Sequence, residues 1–398
     1  MEQINKGNED GETPLFYACK NGNETLVRYL VEQGADINKK NNKGETLLYF
    51  ACSRRNETLV KYLVEHGADL NKESNKDETP LFKACESGHK TLVKYLVERG
   101  ADINKENIYG YTPLFYVCKS GNQTLVKYLV EQGSDINKEN EDGETPLFYD
   151  CKSGNQTLVK YLVEQGADIN KSSDKGETPL FFACERRNEA LVKYLVEQGT
   201  DINKASDKGE TPLFFACERR NEILVKYLVE QGVDVNKENN KKEFPLFISC
   251  SLGCENIVQS LIDALSRNEN RVDINKENRD GKTALFVACE VEKITIAKLL
   301  IDNGADVNKK DKNGDTPLIV ACKKNNEVIV AYLIDHGADI FKENGEGYSS
   351  LNYAYKYQNK NILNFIQNQI DNLYYHSTYK KSLEKLLKGN NNNDIYNI

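Results

Sequence analysis

The stretch that decides the fold is residues 142–174, DGETPLFYDCKSGNQTLVKYLVEQGADINKSSD, because close copies of it recur along the 398-residue chain. Its Thr-Pro-Leu-Phe signature begins at Thr145. The same signature or a close variant begins at Thr13, Thr46, Thr79, Thr112, Thr178, Thr211, Phe244, Thr283, Thr316 and Ser349. Successive copies start 33 residues apart, except that 39 residues separate Phe244 from Thr283. A self-similar period of this length predicts a stacked array of small repeats.

Each copy is predicted to form two short helices and a finger. Thr145 is a good N-cap because its hydroxyl can accept a hydrogen bond from a helix amide, and Pro146 suits the first helical position. This first helix should end at Gly154, which can take the left-handed conformation, and a second helix should end at Gly166. The second helix carries a one-sided apolar stripe of Leu158, Val159, Leu162 and Val163. A polar, turn-rich stretch then leads to the next copy as a hairpin-like finger.

Several motifs recur together in these copies: Thr-Pro-Leu-Phe-x-Ala-Cys, a Gly-Asn turn, Leu-Val-Lys-Tyr-Leu-Val and Gly-Ala-Asp-Ile-Asn. In combination they resemble the ankyrin repeat. The resemblance implies an all-α solenoid of about eleven stacked units, each a helix-turn-helix plus a finger. The predicted repeats are 10–42, 43–75, 76–108, 109–141, 142–174, 175–207, 208–240, 241–279, 280–312 and 313–345, followed by a degenerate eleventh repeat or C-terminal cap at 346–375 and a helical, then disordered, Asn-rich tail at 376–398.

One departure from the family lies at the histidine that usually follows Thr-Pro-Leu. Most units carry a phenylalanine there: Phe16, Phe82, Phe115, Phe148, Phe181, Phe214, Phe247 and Phe286. We therefore expect apolar contact to replace the polar network between repeats that this histidine joins in the family.

Composition favours protein partners. The formal net charge of −8 gives no overall basic footprint for nucleic acid or an anionic membrane, although it leaves room for local basic patches. No apolar run approaches the ~20 residues of a membrane span, and the first residues lack the apolar core of a signal peptide. We predict an intracellular protein, cytoplasmic with the nucleus as the alternative location.

The cysteines predict no disulfides. Ten of the eleven share one position in the repeat, so neighbouring thiols lie one unit apart. Packed helices are about 8–10 Å apart, beyond the limit of about 7 Å between the Cα atoms of a disulfide. The four histidines are scattered, which argues against a metal site. No phosphate loop, zinc-protease motif or nucleophile elbow occurs, so we predict neither an enzyme nor a bound cofactor.

The finger at 107–111 is the first candidate binding site, since Ile108, Tyr109 and Tyr111 stand where other fingers have polar residues or glycine. Exposed aromatic side chains on a rigid tip are favoured anchors at interfaces. The alternative is that they pack on neighbouring fingers.

Arginines form the second candidate site. Arg54, Arg186 and Arg219 stand at the end of the first helix, which lines the inner groove in the family, and could hold carboxylates or phosphoryl groups bidentately. Local pairing with Glu185 and Glu218 is the alternative. Each arginine that follows them, such as Arg187, should take the left-handed turn conformation that glycine adopts more cheaply.

Aromatic residues form a third candidate site. They occupy the position after the Thr-Pro-Leu-Phe signature: Tyr17, Phe50, Tyr116, Tyr149, Phe182 and Phe215, with Lys83 interrupting the series. Their rings either fill space between first helices or show an edge in the groove. In the same region, Asp150 replaces a small residue that should be buried, so its carboxylate should find a donor or have a raised pKa.

Three further irregularities interrupt the repeat pattern, one inside the array and one at each end. Six extra residues fall near 264–271, as a longer helix or a protruding loop. Residues 371–388 read as one more amphipathic helix. At the start of the chain, Ile4-Asn5-Lys6 matches the middle of a unit, which leaves one face of the first unit open.

Two functions fit these observations. The first is a non-enzymatic, monomeric scaffold that binds a protein partner through the inner groove and the finger tips. The alternative is a substrate-recruiting adaptor of a ubiquitin ligase or a similar signalling complex, in which residues 371–398 engage the machinery.

Overall fold

A computed structural model describes residues 2–263 and 272–375. The chain divides into two compact units, 1–207 and 208–398. After a short 3-10 helix at Glu2–Asn5, the first unit contains α1 Pro14–Lys20, α2 Glu24–Glu32, α3 Leu47–Ser53, α4 Glu57–Glu65, α5 Pro80–Ser87, α6 Lys90–Glu98, α7 Pro113–Lys119, α8 Gln123–Glu131, α9 Pro146–Ser153, α10 Gln156–Glu164, α11 Pro179–Glu185 and α12 Glu189–Glu197.

The second unit continues the alternation of first and second helices. It contains α13 Pro212–Glu218, α14 Glu222–Glu230, α15 Pro245–Leu252, α16 Glu255–Asp263, α17 Ala284–Glu290, α18 Ile294–Asp302, α19 Pro317–Lys323, α20 Glu327–Asp335, α21 Ser350–Lys356 and α22 Lys360–Tyr375. Within the described ranges every regular element is helical, which confirms the all-α fold class. The repeat boundaries given above stay a prediction.

The turn between the two helices of a repeat follows the sequence closely. Gly154 has a φ of 74° at the end of α9, and the Asn155 side chain accepts a hydrogen bond from the Leu158 amide at the start of α10. Where arginine replaces the glycine, the left-handed conformation is kept, with φ values of 58°, 56° and 55° at Arg55, Arg187 and Arg220. The prediction for these three arginines is confirmed.

At Thr145 the predicted side-chain cap is wrong. Its hydroxyl accepts no helix amide, because the Phe148 amide bonds the Thr145 backbone carbonyl at 3.0 Å instead. Elsewhere the expected cap does form, as at Thr46, where Oγ1 accepts from the Tyr49 amide at 3.2 Å. The same signature therefore starts its helix with two different hydrogen-bond patterns.

The core consists of the faces that one repeat turns toward the next. In the fifth repeat Leu147, Cys151, Leu158 and Leu162 are fully buried, whereas Val163 stays partly exposed. Fully burying a leucine side chain stabilises the fold by about 1.5–3 kcal/mol, and one helix pair cannot bury both of its sides alone. Stability is therefore shared between neighbouring repeats.

Aromatic pairs replace the family histidine, as expected. The Phe82 ring meets the Tyr116 ring of the next repeat edge-on, with centroids 5.4 Å apart. Phe148 meets Phe182 in the same way, at 5.6 Å. Such edge contacts contribute about 0.5–1.5 kcal/mol beyond the area that they bury.

Asparagine side chains join successive repeats on the finger side of the array. The Asn137 Oδ1 atom accepts from the Asp168 amide at 2.8 Å, and its Nδ2 atom donates to the Gly166 carbonyl at 3.1 Å. The pattern repeats at Asn38, Asn71, Asn104, Asn275 and Asn308. These bonds use the asparagine that the motif Gly-Ala-Asp-Ile-Asn places in each unit.

Backbone hydrogen bonds join successive finger tips. The Asp174 amide donates to the Asp142 carbonyl at 2.8 Å, and the Lys312 amide donates to the Asp280 carbonyl at 2.9 Å. Because a glycine such as Gly143 lies under this contact, a Cβ atom there would stand 2.9 Å from the Asp174 amide nitrogen. The finger therefore favours glycine for space as well as for its positive φ.

The C-terminal end of the described array corrects one expectation. α22 runs unbroken from Lys360 to Tyr375, so Asp371 lies inside the second helix of the eleventh repeat and does not begin a further helix. The reason is that Ile370 occupies the position where Gly166 ends the corresponding helix. The six extra residues near 264–271 and the tail at 376–398 lie outside the described residues.

Asp150 lies in α9 and is fully buried, with neither carboxylate oxygen hydrogen-bonded. Burial raises the pKa of this carboxyl to about 7, and the Cys118 thiol opposes that rise. Eight other repeats hold alanine at this position, the fourth repeat holds Val117, and the eighth holds Ser249, whose hydroxyl donates to the Pro245 carbonyl at 2.8 Å. Of the two outcomes expected for Asp150, a hydrogen-bond donor or a raised pKa, the structure favours the raised pKa.

We expect Asp150→Ala to stabilise the protein, and more so at alkaline pH. The folded state holds the carboxyl protonated up to about pH 7, whereas the unfolded chain ionises near pH 4, so wild-type stability falls between these values. In urea unfolding the gain in stability should grow by about 3 kcal/mol from about pH 5 to about pH 8. Ser249→Ala is the control and should show no such dependence. A gain that is equal at both pH values would contradict the burial of an ionisable Asp150.

All eleven cysteines are free, and ten of them are buried. Burial raises the pKa of Cys184 to about 12, so this thiol is inert in the folded protein. Cys254 differs, since it replaces the capping asparagine at the start of α16 and is only half-buried. The expectation of reduced, unpaired cysteines agrees with this arrangement.

We expect about one thiol per chain to react with Ellman's reagent in the folded state, at Cys254, because the other ten are shielded. The readout is thiols titrated per chain before and after denaturation. Cys254→Ser should remove the fast phase. Fast reaction of two or more thiols would contradict the buried stack.

Candidate binding surface

Ile108 and Tyr109 form the most exposed apolar finger tip of the first unit. Their side chains are 42% and 46% exposed. The loop is held from inside, since Asn107 Oδ1 accepts from the amides of Tyr109 and Tyr111, both at 3.0 Å. The tip is thus a preorganised loop that presents two large side chains to solvent.

Tyr111 points away from this tip, into an aromatic cluster of the first unit. Its ring centroid lies 5.2 Å from that of Phe115 and 6.1 Å from that of Tyr149. The Tyr111 and Tyr149 hydroxyls are hydrogen-bonded at 2.8 Å. Tyr111 therefore packs the finger against the aromatic cluster. Only the outer part of its ring is accessible to a partner.

Tyr116 is fixed by a buried carboxylate that our sequence reasoning missed. Glu78 is 5% exposed and accepts hydrogen bonds from the Tyr49 and Tyr116 hydroxyls, at 2.6 and 2.8 Å. Asn107 Nδ2 also donates to the Tyr116 hydroxyl, at 3.3 Å, which ties this network to the finger tip. Burial would raise the pKa of Glu78, but hydrogen bonds from the two tyrosines and the Lys83 charge outweigh it, so the pKa is lowered.

Lys83 interrupts the aromatic series for an electrostatic reason. Its ammonium group lies 3.4 Å from Glu78 and 2.7 Å from Glu86, two acids that flank it in the third repeat. It also lies 5.5 Å from the centroid of the Tyr49 ring, where a neighbouring ring sits in other repeats. A signal was present in the sequence, because other repeats pair an acid and a lysine at the positions of Glu78 and Glu86.

Such a pair is formed in the fifth repeat, where Lys152 bonds Glu144 at 2.6 Å. The Lys152 ammonium also lies 4.5 Å from the Phe182 ring centroid and 5.4 Å from that of Tyr149. Phe182 is buried and Tyr149 is half-buried. These two rings mainly fill space, so their contribution to a surface is limited to edges.

The arginines lie in separate places. Arg54 is exposed, with its guanidinium 5.3 Å from the Phe50 ring centroid. Arg186 is exposed and shares a shallow depression with Lys152. Arg219 follows α13 and Phe215 lies within it, both in the second unit. The joint anion site predicted from Arg186 and Arg219 stays a prediction.

The described residues hold no group of three or more histidine, cysteine, aspartate or glutamate side chains placed to bind a metal ion. No helix among them combines the length and apolarity of a membrane span.

The fold and this surface define a helical repeat protein in which neighbouring copies within each unit pack on one another. The family model described as ankyrin repeats (3 copies) matches residues 1–74, 33–107, 71–140, 100–173, 117–206, 170–239, 213–311 and 292–374. The chain therefore belongs to the ankyrin-repeat family. No curated protein matched the chain. Ankyrin repeats are generally modules for protein–protein interaction.

We expect Glu78→Gln to destabilise the first unit by about 1–3 kcal/mol, because the hydroxyls of buried Tyr49 and half-buried Tyr116, together with Lys83, would lose an ionised acceptor. Glu144→Gln is the matched control at the same repeat position, with one ion pair, and should cost less. The measurement is urea unfolding at neutral pH. The lowered pKa of Glu78 means that its contribution is present above about pH 4 and is lost in more acidic solution. Equal losses for the two variants would contradict the network.

Proposed function

We propose that the protein is a non-enzymatic scaffold that binds a protein partner through its first helices and finger tips. The observation that carries this proposal is the tip of Ile108 and Tyr109, exposed above a hydrogen-bonded aromatic cluster. Interfaces concentrate their binding energy in a few aromatic anchors of this kind, surrounded by polar contacts.

Preorganisation favours this surface over a mobile loop. The Ile108 amide donates to the Lys76 carbonyl at 3.1 Å, and the Glu141 amide donates to the Tyr109 carbonyl at 3.0 Å, so the tip is bonded on both sides. Ordering a loop on binding costs free energy that a fixed loop has already lost on folding. A partner with an apolar pocket for Tyr109 would bind with little rearrangement of this chain.

The neighbouring finger tips supply a polar rim. Lys76 and Lys43 are exposed on one side, and Glu141 and Asp142 are exposed on the other. We propose that such a rim selects the orientation of the partner, because charges of both signs flank the apolar centre. Arg54, Arg186 and Arg219, together with the edges of Tyr116, Tyr149, Phe182 and Phe215, are proposed as further contacts.

The cysteines support an intracellular location. Eleven free thiols with no disulfide are typical of a reducing compartment, so we propose the cytoplasm, with the nucleus as the alternative. The adaptor function depends on the segment 371–398, most of which lies outside the described residues. No observation on the described residues favours it over the scaffold.

We expect Tyr109→Ala to reduce capture of the partner by about tenfold, since an interface anchor of this size contributes about 1.4 kcal/mol or more. Partners would be identified by crosslinking and affinity capture with the full-length chain, and the binding of each would then be measured with purified protein. Tyr29→Ala is the matched control, because Tyr29 is 56% exposed on the second helix α2. Equal binding by both variants would overturn this surface as the binding site.

A further inference from the structure

The finger tips of the second unit carry a row of cations, although the chain as a whole is acidic. We call Lys208, Lys241, Lys242, Arg279 and Lys312 the basic fingertip row; all five side chains are exposed. They come from four consecutive fingers. The finger tips of the first unit have no such row, since Glu9, Glu141 and Asp142 alternate there with single lysines.

Backbone hydrogen bonds hold these four finger tips in order. The Asn240 amide donates to the Lys208 carbonyl at 2.8 Å, and the Arg279 amide donates to the Lys241 carbonyl at 3.3 Å. The Lys312 amide donates to the Asp280 carbonyl at 2.9 Å. The cations therefore stand on adjacent, mutually bonded tips.

Other cations of the same fingers are already paired. Lys276 bonds Glu238 at 3.1 Å, Lys309 bonds Glu277 at 2.9 Å and Lys282 bonds Glu290 at 2.9 Å. Among the residues that the structure describes, no carboxylate forms an ion pair with a member of the basic fingertip row. The row is thus available to an external anion, with Asp207 and Asp280 as the exposed acidic side chains on the same finger tips.

Lys242 is held in an unfavourable conformation. Its φ is 58°, and it occupies the finger position that is glycine in nearly every other repeat, Asp77 being the other exception. Beside Lys242, the bond from the Arg279 amide to the Lys241 carbonyl is 3.3 Å long, and beside Asp77 the bond from the Ile108 amide to the Lys76 carbonyl is 3.1 Å long. The bond from the Asn240 amide to the Lys208 carbonyl is shorter, at 2.8 Å. A left-handed lysine costs roughly 1–2 kcal/mol, so this cation is kept at the expense of stability.

We propose that the basic fingertip row binds an extended, acidic segment of a partner protein. Successive fingers follow the spacing of packed helices, about 8–10 Å, and an extended chain rises about 3.3 Å per residue. A carboxylate at every third residue of the segment would therefore meet one finger after another. Arg279 can hold a carboxylate bidentately, and the lysines supply point charges on either side of it.

The spacing favours an acidic segment over nucleic acid. Double-stranded DNA carries one negative charge per ~1.7 Å, far more densely than one or two cations per finger can neutralise. Single-stranded nucleic acid binds mainly where aromatic side chains stack on its bases, and the tips of this row carry none. The net charge of −8 further disfavours a polyanion that extends beyond the row.

This surface rests on the proposed binding function and extends it, but the two proposals can fail independently. The two surfaces lie in different units and are tested with different probes. The probe here is a fluorescein-labelled peptide of six Glu-Gly-Ser triplets, titrated with the full-length chain by fluorescence anisotropy at low and physiological salt. We expect binding that weakens as salt rises. The block peptide of the same composition, with its glutamates contiguous, should bind more weakly.

Charge reversal separates the row from general electrostatics. The triple variant Lys241→Glu, Lys242→Glu, Arg279→Glu should bind the peptide at least about tenfold more weakly than wild type. The matched control reverses three exposed lysines of the first unit that lie outside the proposed rim, Lys39→Glu, Lys40→Glu and Lys175→Glu, and should bind nearly as wild type does. Both variants change the net charge equally, so equal losses would overturn the proposal.

Lys242→Gly supplies the second test, since it removes strain together with charge. We expect it to raise the urea midpoint and to weaken peptide binding by about two- to threefold. A raised midpoint with unchanged binding would show that Lys242 has no part in the row. Competition by an 18-nucleotide single strand that exceeds competition by the peptide would overturn the choice of an acidic protein segment.

Discussion

Burial of each helix pair against the next copy is the interaction on which the rest of the structure depends. Leu147, Leu158 and Leu162 can leave water only because neighbouring repeats cover them. This constraint fixes the core positions and leaves the turn, the finger tip and one position of the first helix free to change. The candidate sites lie at those free positions, since a substitution there costs little stability.

The polar bonds between repeats act in a different way. Apolar faces can slide, whereas the two hydrogen bonds of Asn137 and the tip-to-tip bond of Asp142 fix each repeat at one register. They also give every finger a defined position relative to its neighbours within a unit. A binding surface made from several fingers needs this order, because its contacts must be placed together before a partner arrives.

Departures from the repeat have identifiable physical causes or costs. Lys83 neutralises two acids, Glu78 and Glu86, and holds the place of an aromatic ring. Asp150 places an unpaired carboxylate in the core, where desolvation raises its pKa. Lys242 keeps a positive φ, and the bond between finger tips beside it, from the Arg279 amide to the Lys241 carbonyl, is 3.3 Å long. The charge of Lys83 is compensated by the two acids beside it. Asp150 and Lys242 lower the stability of the fold without a stabilising contact in return.

The sequence alone determined the all-α repeat fold, the positions of both helices, the buried thiols and the left-handed arginines, because a 33-residue period and capping residues act locally. It also indicated Ile108 and Tyr109 as large side chains exposed on a finger tip. Only the tertiary structure decided where Tyr111 points, that Glu78 joins Tyr49 and Tyr116, and that Thr145 gives its helix no side-chain cap. The placements of Tyr111 and Glu78 depend on atoms of other repeats, 29 to 38 residues away for the hydroxyl bonds of Tyr49, Tyr116 and Tyr111. A local pattern cannot specify such distances, since they arise from the way whole repeats stack.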